Sequence, residues 1–539
     1  MSAWIPALAS AFCLCLLQYW RSSSRKRAYP PGPPPLPIVG NILDLPTNDM
    51  EAKYRDLNDR YGDLVYLDVL GQSILVLGTH EAAVDLLDKR SAIYSDRVHS
   101  PIVELYVVVR MCIASTVDAS RRCRGGFDWV LTMIHYGPWW RRHRRAFHQF
   151  FNARAVTQLR PLQRSQVNHF LVRLLESPKD FTEHIRHLFA ATIMRIAYGI
   201  DIKEENDEYV KMAEEGLAAF SRLLVPGKYL VELFPILRIL PKWLPGVQFK
   251  QDAAEAKVAV HRVRDVPWER TLAAMRDGSA NPSMTSVLME RISGLQGPEV
   301  VEEQEVARNT VAVAYGAGAD TTLSSIQALF LVLASFPEAQ KKAQAELDAV
   351  VGPHRLPDFA EQDTLPYVSA VIKECLRWHA IVPLGIPHRL IEDDEYRGYY
   401  IPKGTLVIPN IWAYSRDESR YPDPREFKPE RYLKDGKLNS DIHVPTEFVF
   451  GYGRRICPGR YFAEASLFLI VSSVLHTLSV SAPLDENGNP VKLEGKMTSG
   501  VISYPEPFEC VIKPRGPWAE ALIRASDHTT SSSVAGGPE

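Results

Sequence analysis

The 539-residue chain predicts a mainly α fold with a minor β region, preceded by a single N-terminal transmembrane helix. Three observations carry this. Apolar residues recur at helical spacing from Asp128 to about Val350. Strand-like alternation is confined to short stretches, with no βαβ rhythm. An uncharged apolar run opens the chain. With 46% hydrophobic and 23% charged residues, the composition is that of a folded protein with a sizeable core. A net charge of −2 excludes a general attraction to nucleic acid. The seven cysteines are scattered and include no C-x-x-C pair, which argues against a disulfide framework or zinc site and for a reducing compartment.

The elements follow in order. Ala3 to Trp20 is apolar and uncharged, and as a helix it would rise about 27 Å, close to a bilayer's hydrocarbon thickness. Tryptophans sit near both ends and "RSSSRKR" follows, so the basic flank favours the cytoplasmic side. Because this charge follows the apolar run, an uncleaved anchor (1–20) is favoured over a cleaved signal peptide. Residues 21–40 are basic and then proline-rich, and read as a stiff spacer, because proline fixes φ and removes a donor. Leu64 to Gly78 alternates like two strands joined at Gly71. After the long helical region, in which Gly352 marks a helix end, short strands return between Arg389 and Pro409. A helix is expected after Cys457 and a strand within Pro507–Arg515. Residues 516–539 are small and polar and are expected to be disordered. "YVVVRMCIASTVDASRRCR" (106–124) interrupts an otherwise coherent passage, as either an extended surface loop or a translated intron.

Four constellations carry chemistry. In "FGYGRRICPGR" (450–460), Gly451, Gly453 and Gly459 permit tight turns, and Pro458 announces a helix start. A sulfur before a helix N-terminus faces unpaired N–H groups, and Arg454 and Arg455 add positive charge; both favour a thiolate at Cys457. Such a thiolate suits a metal ligand, and thiolate-held haem is one standard arrangement. In "AYGAGADTTLSS" (314–325), two glycines weaken a helix by about 1 kcal/mol each relative to alanine. The pattern suggests a groove for a flat cofactor, with Asp320 and Thr321 placed to deliver protons, although a capped surface helix reads the same way. "ECLR" puts Glu374 and Arg377 one turn apart, an ordinary ion-pair spacing. "YGPWWRRHRRAFHQFF" (136–151) is basic and aromatic, yet too short for a nucleic-acid surface in a chain that is not basic.

The cysteine stretch matches F-x-x-G-x-R-x-C-x-G through Phe450, Gly453, Arg455, Cys457 and Gly459, and resembles the haem-binding loop of the cytochrome P450 family. The resemblance extends over Pro30 to Arg515: a proline hinge, W-x-x-x-R at Trp140 and Arg144, A-G-x-D-T at Ala317, Gly318, Asp320 and Thr321, E-x-x-R, and P-E-R carrying Arg431. It is most similar to the microsomal fungal branch, of the basidiomycete type.

The resemblance implies the family's triangular, mainly helical fold over 41–515, with haem b (iron protoporphyrin IX) between the Asp320 helix and the Cys457 loop. It implies Cys457 as axial iron ligand, and haem contacts from Trp140, Arg144, Ala317, Gly318, His388, Phe450 and Arg455. Asp320 and Thr321 become the proton-delivering pair, and Glu374, Arg377 and Arg431 a buried structural network. Activity would be monooxygenation of a hydrophobic small molecule in secondary metabolism or xenobiotic oxidation. Electrons would come from an NADPH-dependent cytochrome P450 reductase, with cytochrome b5 as a further donor. Arg141, Arg142 and Arg145 would form part of a docking face, or else a solvated helix face. Lipid is the other partner, with the enzyme anchored once in the endoplasmic reticulum membrane and its catalytic domain in the cytosol. Rival readings are an isomerase or dehydratase without O2 activation, which the Asp320–Thr321 pair disfavours, and a non-catalytic haem protein impaired by the 106–124 insertion. Pocket-lining stretches by resemblance are 98–105, 312–319, 381–386 and 500–502.

Overall fold

The computed structural model describes residues 28–98, 127, 129–223, 229, 231, 234–241, 243–244 and 246–534. The anchor expected over 1–20 and the interrupting segment at 106–124 lie outside the described residues.

Helix α1 (Met50–Tyr61) precedes a hairpin of β1 (Leu64–Val69) and β2 (Gln72–Leu77). Its turn places Leu70 and Gly71 at φ 52° and 85°, the doubly left-handed geometry that matches strand twist. Short helical turns lead to β3 (Asp96–Arg97). Then come α2 (Pro138–Phe151), α3 (Ala153–Glu176), α4 (Phe181–Tyr198), α5 (Glu208–Leu223), α6 (Phe249–Asp277) and α7 (Met284–Ile292). These are followed by α8 (Pro298–Ser335), α9 (Pro337–Val350) and α10 (Pro366–Trp378). Proline starts α2, α8, α9 and α10, where its missing N–H costs nothing. The Asn152 side chain caps α3, accepting from the Arg154 and Ala155 N–H groups at 3.0 Å. Gly352, at φ 70°, lies just past the end of α9.

Strands β4 (His388–Arg389), β5 (Asp394–Tyr396), β6 (Tyr399–Ile401) and β7 (Leu406–Pro409) follow. The larger sheet has the order β1-β2-β7-β4-β3, and its last pairing sets Arg97 beside His388. Helix α11 (Arg460–Thr477) follows the cysteine loop, and β8 (Leu478–Ser481) pairs with β9 (Val511–Pro514).

Helix α8 runs through the interior. Its first half packs with α2, α4, α6 and α7, and its second half with α3, α9, α10 and α11. Among the described residues it is the helix long and apolar enough to cross a membrane, but its apolar stretch is mostly buried, as expected of a core helix.

Two expectations need correction. The proline-rich stretch is not a free spacer, because it docks on β1: the Tyr66 N–H donates to the Pro31 carbonyl at 2.8 Å, and Asn41 Nδ2 donates to the Pro33 carbonyl at 2.9 Å. The tail is not unstructured from 516. It forms α12 (Pro517–Val534), with Ala519 and Ile523 fully buried and the Asn168 amide of α3 donating to the Ser526 carbonyl at 3.3 Å.

Candidate active site

The cysteine loop is shaped by its backbone. The Cys457 N–H donates to the Phe450 carbonyl at 2.7 Å, closing a turn in which Gly451 and Gly453 adopt φ 75° and 51°. At Gly453 a Cβ would collide with the Leu87 carbonyl, so glycine is required there by contact as well as by conformation. The Cys457 side chain lies deep in the molecule yet retains accessible surface, so what it faces is internal space. Burial pushes its thiol up, opposed by the Gly459 N–H, Arg144 and Arg460. This corrects the expectation that Arg454 and Arg455 supply the charge. Arg454 stacks on and donates to Tyr136, while Arg455 reaches the carbonyls of Ser95, Leu131 and Ile134 at 2.8, 3.2 and 2.7 Å.

Arg455 belongs to an array of buried cations. Its guanidinium lies 4.6 Å from the Trp140 ring centroid, and burial lowers it to about 10. Arg144, one turn beyond Trp140 on α2, is lowered by burial and feels both Cys457 and Arg455. Arg97 was not singled out from the sequence. It is 4% exposed, donates Nη1 to the Ile386 and Pro387 carbonyls at 2.6 and 2.9 Å, and leaves Nε buried without a partner. His388, beside it across the strand pair, bonds through Nδ1 to the Tyr94 carbonyl at 2.7 Å and is held neutral by burial and by Arg97. Asp96 is the carboxylate acting on Arg97 and Arg455, and its Oδ1 already accepts from Tyr136 N–H at 2.9 Å and meets His135 at 3.2 Å. Several buried cations sharing one occupied carboxylate form a site for an anion. The orphaned Arg97 Nε and the space before Cys457 fit a flat cofactor carrying carboxylates.

Of the three arginines expected to form a docking face, Arg142 is not available. It pairs with Glu302 and Glu303 at 2.6 Å each. Arg141 and Arg145 are exposed.

Helix α8 is buried over 311–315 and 322–326, but between them residues 316–321 keep accessible surface and Ala317 is exposed. An exposed alanine midway along a core helix marks internal space. Gly318 presents its Cβ direction to α4. A Cβ there would come within 3.2 Å of Ile193, so its smallness serves helix packing. The hydroxyls fold back on the helix: Thr321 Oγ1 donates to the Ala317 carbonyl and Thr322 Oγ1 to the Gly318 carbonyl, both at 3.0 Å. Burial raises the Asp320 carboxyl to about 6 despite the Arg186 charge.

Glu374 and Arg377 are fully buried and joined by two 2.8 Å bonds. Arg431 Nε reaches both Glu374 oxygens at 3.1 and 3.0 Å, and the Lys428 N–H adds a bond at 2.9 Å. Arg377 also donates to the Ser415 and Pro424 carbonyls at 2.8 Å, tying α10 to the segment before the cysteine loop.

The family profile described as Cytochrome P450 matches residues 30–510. Cytochrome P450 monooxygenase COX2 of Coprinopsis cinerea is 41% identical over 534 residues, covering 98% of this chain and 96% of that one. Cytochrome P450 monooxygenase ple1 of Rhodocybe pseudopiperita is 39% identical over 514 residues, 94% of each chain. Tryptamine 4-monooxygenase of Psilocybe cyanescens is 38% identical over 500 residues, 91% of this chain and 94% of that one.

Proposed function

The chain belongs to the cytochrome P450 family and is a haem monooxygenase; from that premise we propose that it inserts one oxygen atom of O2 into a hydrophobic small molecule of fungal secondary metabolism. The observation that carries the reading is the pairing of a deep cysteine facing internal space with an array of buried, under-compensated cations. The cofactor is haem b. When bound, its iron supplies the reductive activation of O2.

The chain's own residues do the rest. Cys457 holds the iron as thiolate, with the Gly459 N–H, Arg144 and Arg460 favouring the charged sulfur. Arg97, Arg144 and Arg455 bind the carboxylates, with Trp140 stacked against Arg455 and His388 alongside. The Gly316–Ala317 stretch, where a Cβ on Gly316 would meet nothing within 4 Å, would leave room for the cofactor against α8. Thr321 offers a hydroxyl to the reaction space, and Asp320, with a carboxyl near 6, gives and regains protons close to neutral pH. The net reaction consumes O2, two electrons and two protons, and yields hydroxylated product and water.

The electrons come from an NADPH-dependent reductase, with cytochrome b5 as a second donor, and the exposed Arg141 and Arg145 form part of their docking face. The enzyme sits on the endoplasmic reticulum membrane with its catalytic domain in the cytosol. The apolar 3–20 run supports this, as do Ile236, Ile239 and Trp243, which are 66, 70 and 79% exposed on a loop well suited to lipid.

The deciding measurement is the absorption spectrum of reduced, CO-treated membranes carrying the full chain beside Cys457→Ser. A strongly red-shifted Soret band lost in the variant is expected. An unshifted band in the natural chain would refute thiolate ligation.

A further inference from the structure

Helix α2 holds Trp140 against Arg455 of the cysteine loop and carries Arg144 one turn further on. The helix sets the spacing of that pair, but a neighbouring element must set its position in the core. The stripe beside the pair, Trp139, Arg142 and His143, faces α8 and is fastened to it at two levels. Near the start of α8, Arg142 Nε and Nη2 donate to Glu303 Oε1 at 3.0 and 2.6 Å, and Nη1 donates to Glu302 Oε2 at 2.6 Å. Two turns further along α8, Asn309 Nδ2 meets His143 Nε2 at 3.2 Å. Links about 10 Å apart on one helix fix both the height and the angle of the other. Trp139 joins the two levels, with the Arg142 guanidinium 5.4 Å from its ring centroid and the His143 ring edge-on at 4.7 Å.

The direction of the second bond follows from the far side of the imidazole. His143 Nδ1 lies 3.0 Å from the Trp139 carbonyl, which can only accept, so Nδ1 carries the proton and Nε2 accepts from the Asn309 amide. Both side chains are buried, at 1 and 0% exposed, and among the described residues Asn309 Oδ1 has no partner. A core position filled for packing alone favours leucine, which orphans no oxygen. The amide is kept for the bond that its nitrogen makes.

We propose that His143 and Asn309, together with the Arg142 bridge to Glu302 and Glu303, are positioning residues for cofactor binding: they set α2 in register against α8 and so hold Arg144 where a haem carboxylate meets it. The inference rests on the reading of Arg144 as a carboxylate-binding residue, and the experiment separates the two.

Haem transfer from the loaded full chain to excess apomyoglobin is the readout. His143→Leu, which cannot accept, is expected to release haem about fivefold faster, and Asn309→Leu, which also removes the orphaned oxygen, by a similar factor. His143→Gln, whose amide oxygen can accept from Asn309, should recover most of the natural rate. The same leucine substitutions are then made beside Arg144→Met. If the pair acts through Arg144, each changes the rate in that background by less than about twofold. Natural rates in both leucine variants, equal losses in His143→Gln and His143→Leu, or the full acceleration persisting beside Arg144→Met each overturn the proposal. The last result, with Arg144→Met itself faster, keeps Arg144 at the carboxylates and removes only the positioning role. A natural rate in Arg144→Met alone refutes the reading of Arg144, and the positioning role falls with it.

Discussion

Arg97 places a guanidinium in the interior with one nitrogen unpaired, and among the described residues no carboxylate bonds to it directly. Leaving a charge in that state costs several kcal/mol unless a counter-ion arrives, so the residue is built for a ligand. Arg97→Met should speed haem loss to excess apomyoglobin by about tenfold or more, the worth of one charge-assisted hydrogen bond. Arg97→Lys should fall between, since it keeps the charge and loses the fork; loss at the natural rate in Arg97→Met would remove it from the site. The residue was illegible in the sequence, because "SDRV" has no pattern and its meaning comes from the strand pairing with His388. Cys457 was legible because glycine turns, a helix start and the cysteine are contiguous. Which cations face its sulfur was not, since Arg144 and Arg460 are distinguished from Arg454 and Arg455 only by side-chain direction.

At the scale of elements, contiguous signals were read well and long-range ones poorly. The β1–β2 hairpin announces itself through alternation and Gly71, whereas α12 does not. Its residues are mostly small and polar, and the stripe that buries it is only a few residues near its start, Ala519 and Ile523 among them. That stripe is enough because α3 offers it a matching surface, and because Arg515 fixes the approach through Asp348 at 2.8 and 2.6 Å. Ending the chain after Arg515 should therefore destabilise the protein by about 2–4 kcal/mol, the burial of one isoleucine and its neighbours. The check is a urea titration of the truncated and full chains. The partners of α12 are α3, α11 and β9, so the CO-difference band should keep its position. An unchanged urea midpoint would show that the helix adds nothing to the core.

Across the whole molecule, the order of motifs was readable from the sequence, but the way the layers respond to acid was not. Helix α8 joins the two main cores, and it is locked to the end of α10 by Ser324, whose hydroxyl meets His379 Nε2 at 2.7 Å. His379 is 3% exposed, and burial lowers it to about 4. His80, which bonds Tyr452 of the cysteine loop at 3.0 Å, is likewise lowered to about 4 by burial. The unfolded chain protonates these rings near 6.5 while the native chain refuses the proton, so the unfolded state binds more protons as pH falls. The stability these neutral rings contribute is complete above about 6.5 and is lost progressively toward pH 4, amounting to about 2 kcal/mol per ring at pH 5. His379→Gln can keep a hydrogen bond to Ser324 without a titrating group. Its denaturation midpoint should fall less steeply than the natural chain's between pH 7 and pH 5, whatever its stability at pH 7. Parallel profiles would mean that His379 takes up its proton in the native fold, through opening of the α8–α10 junction.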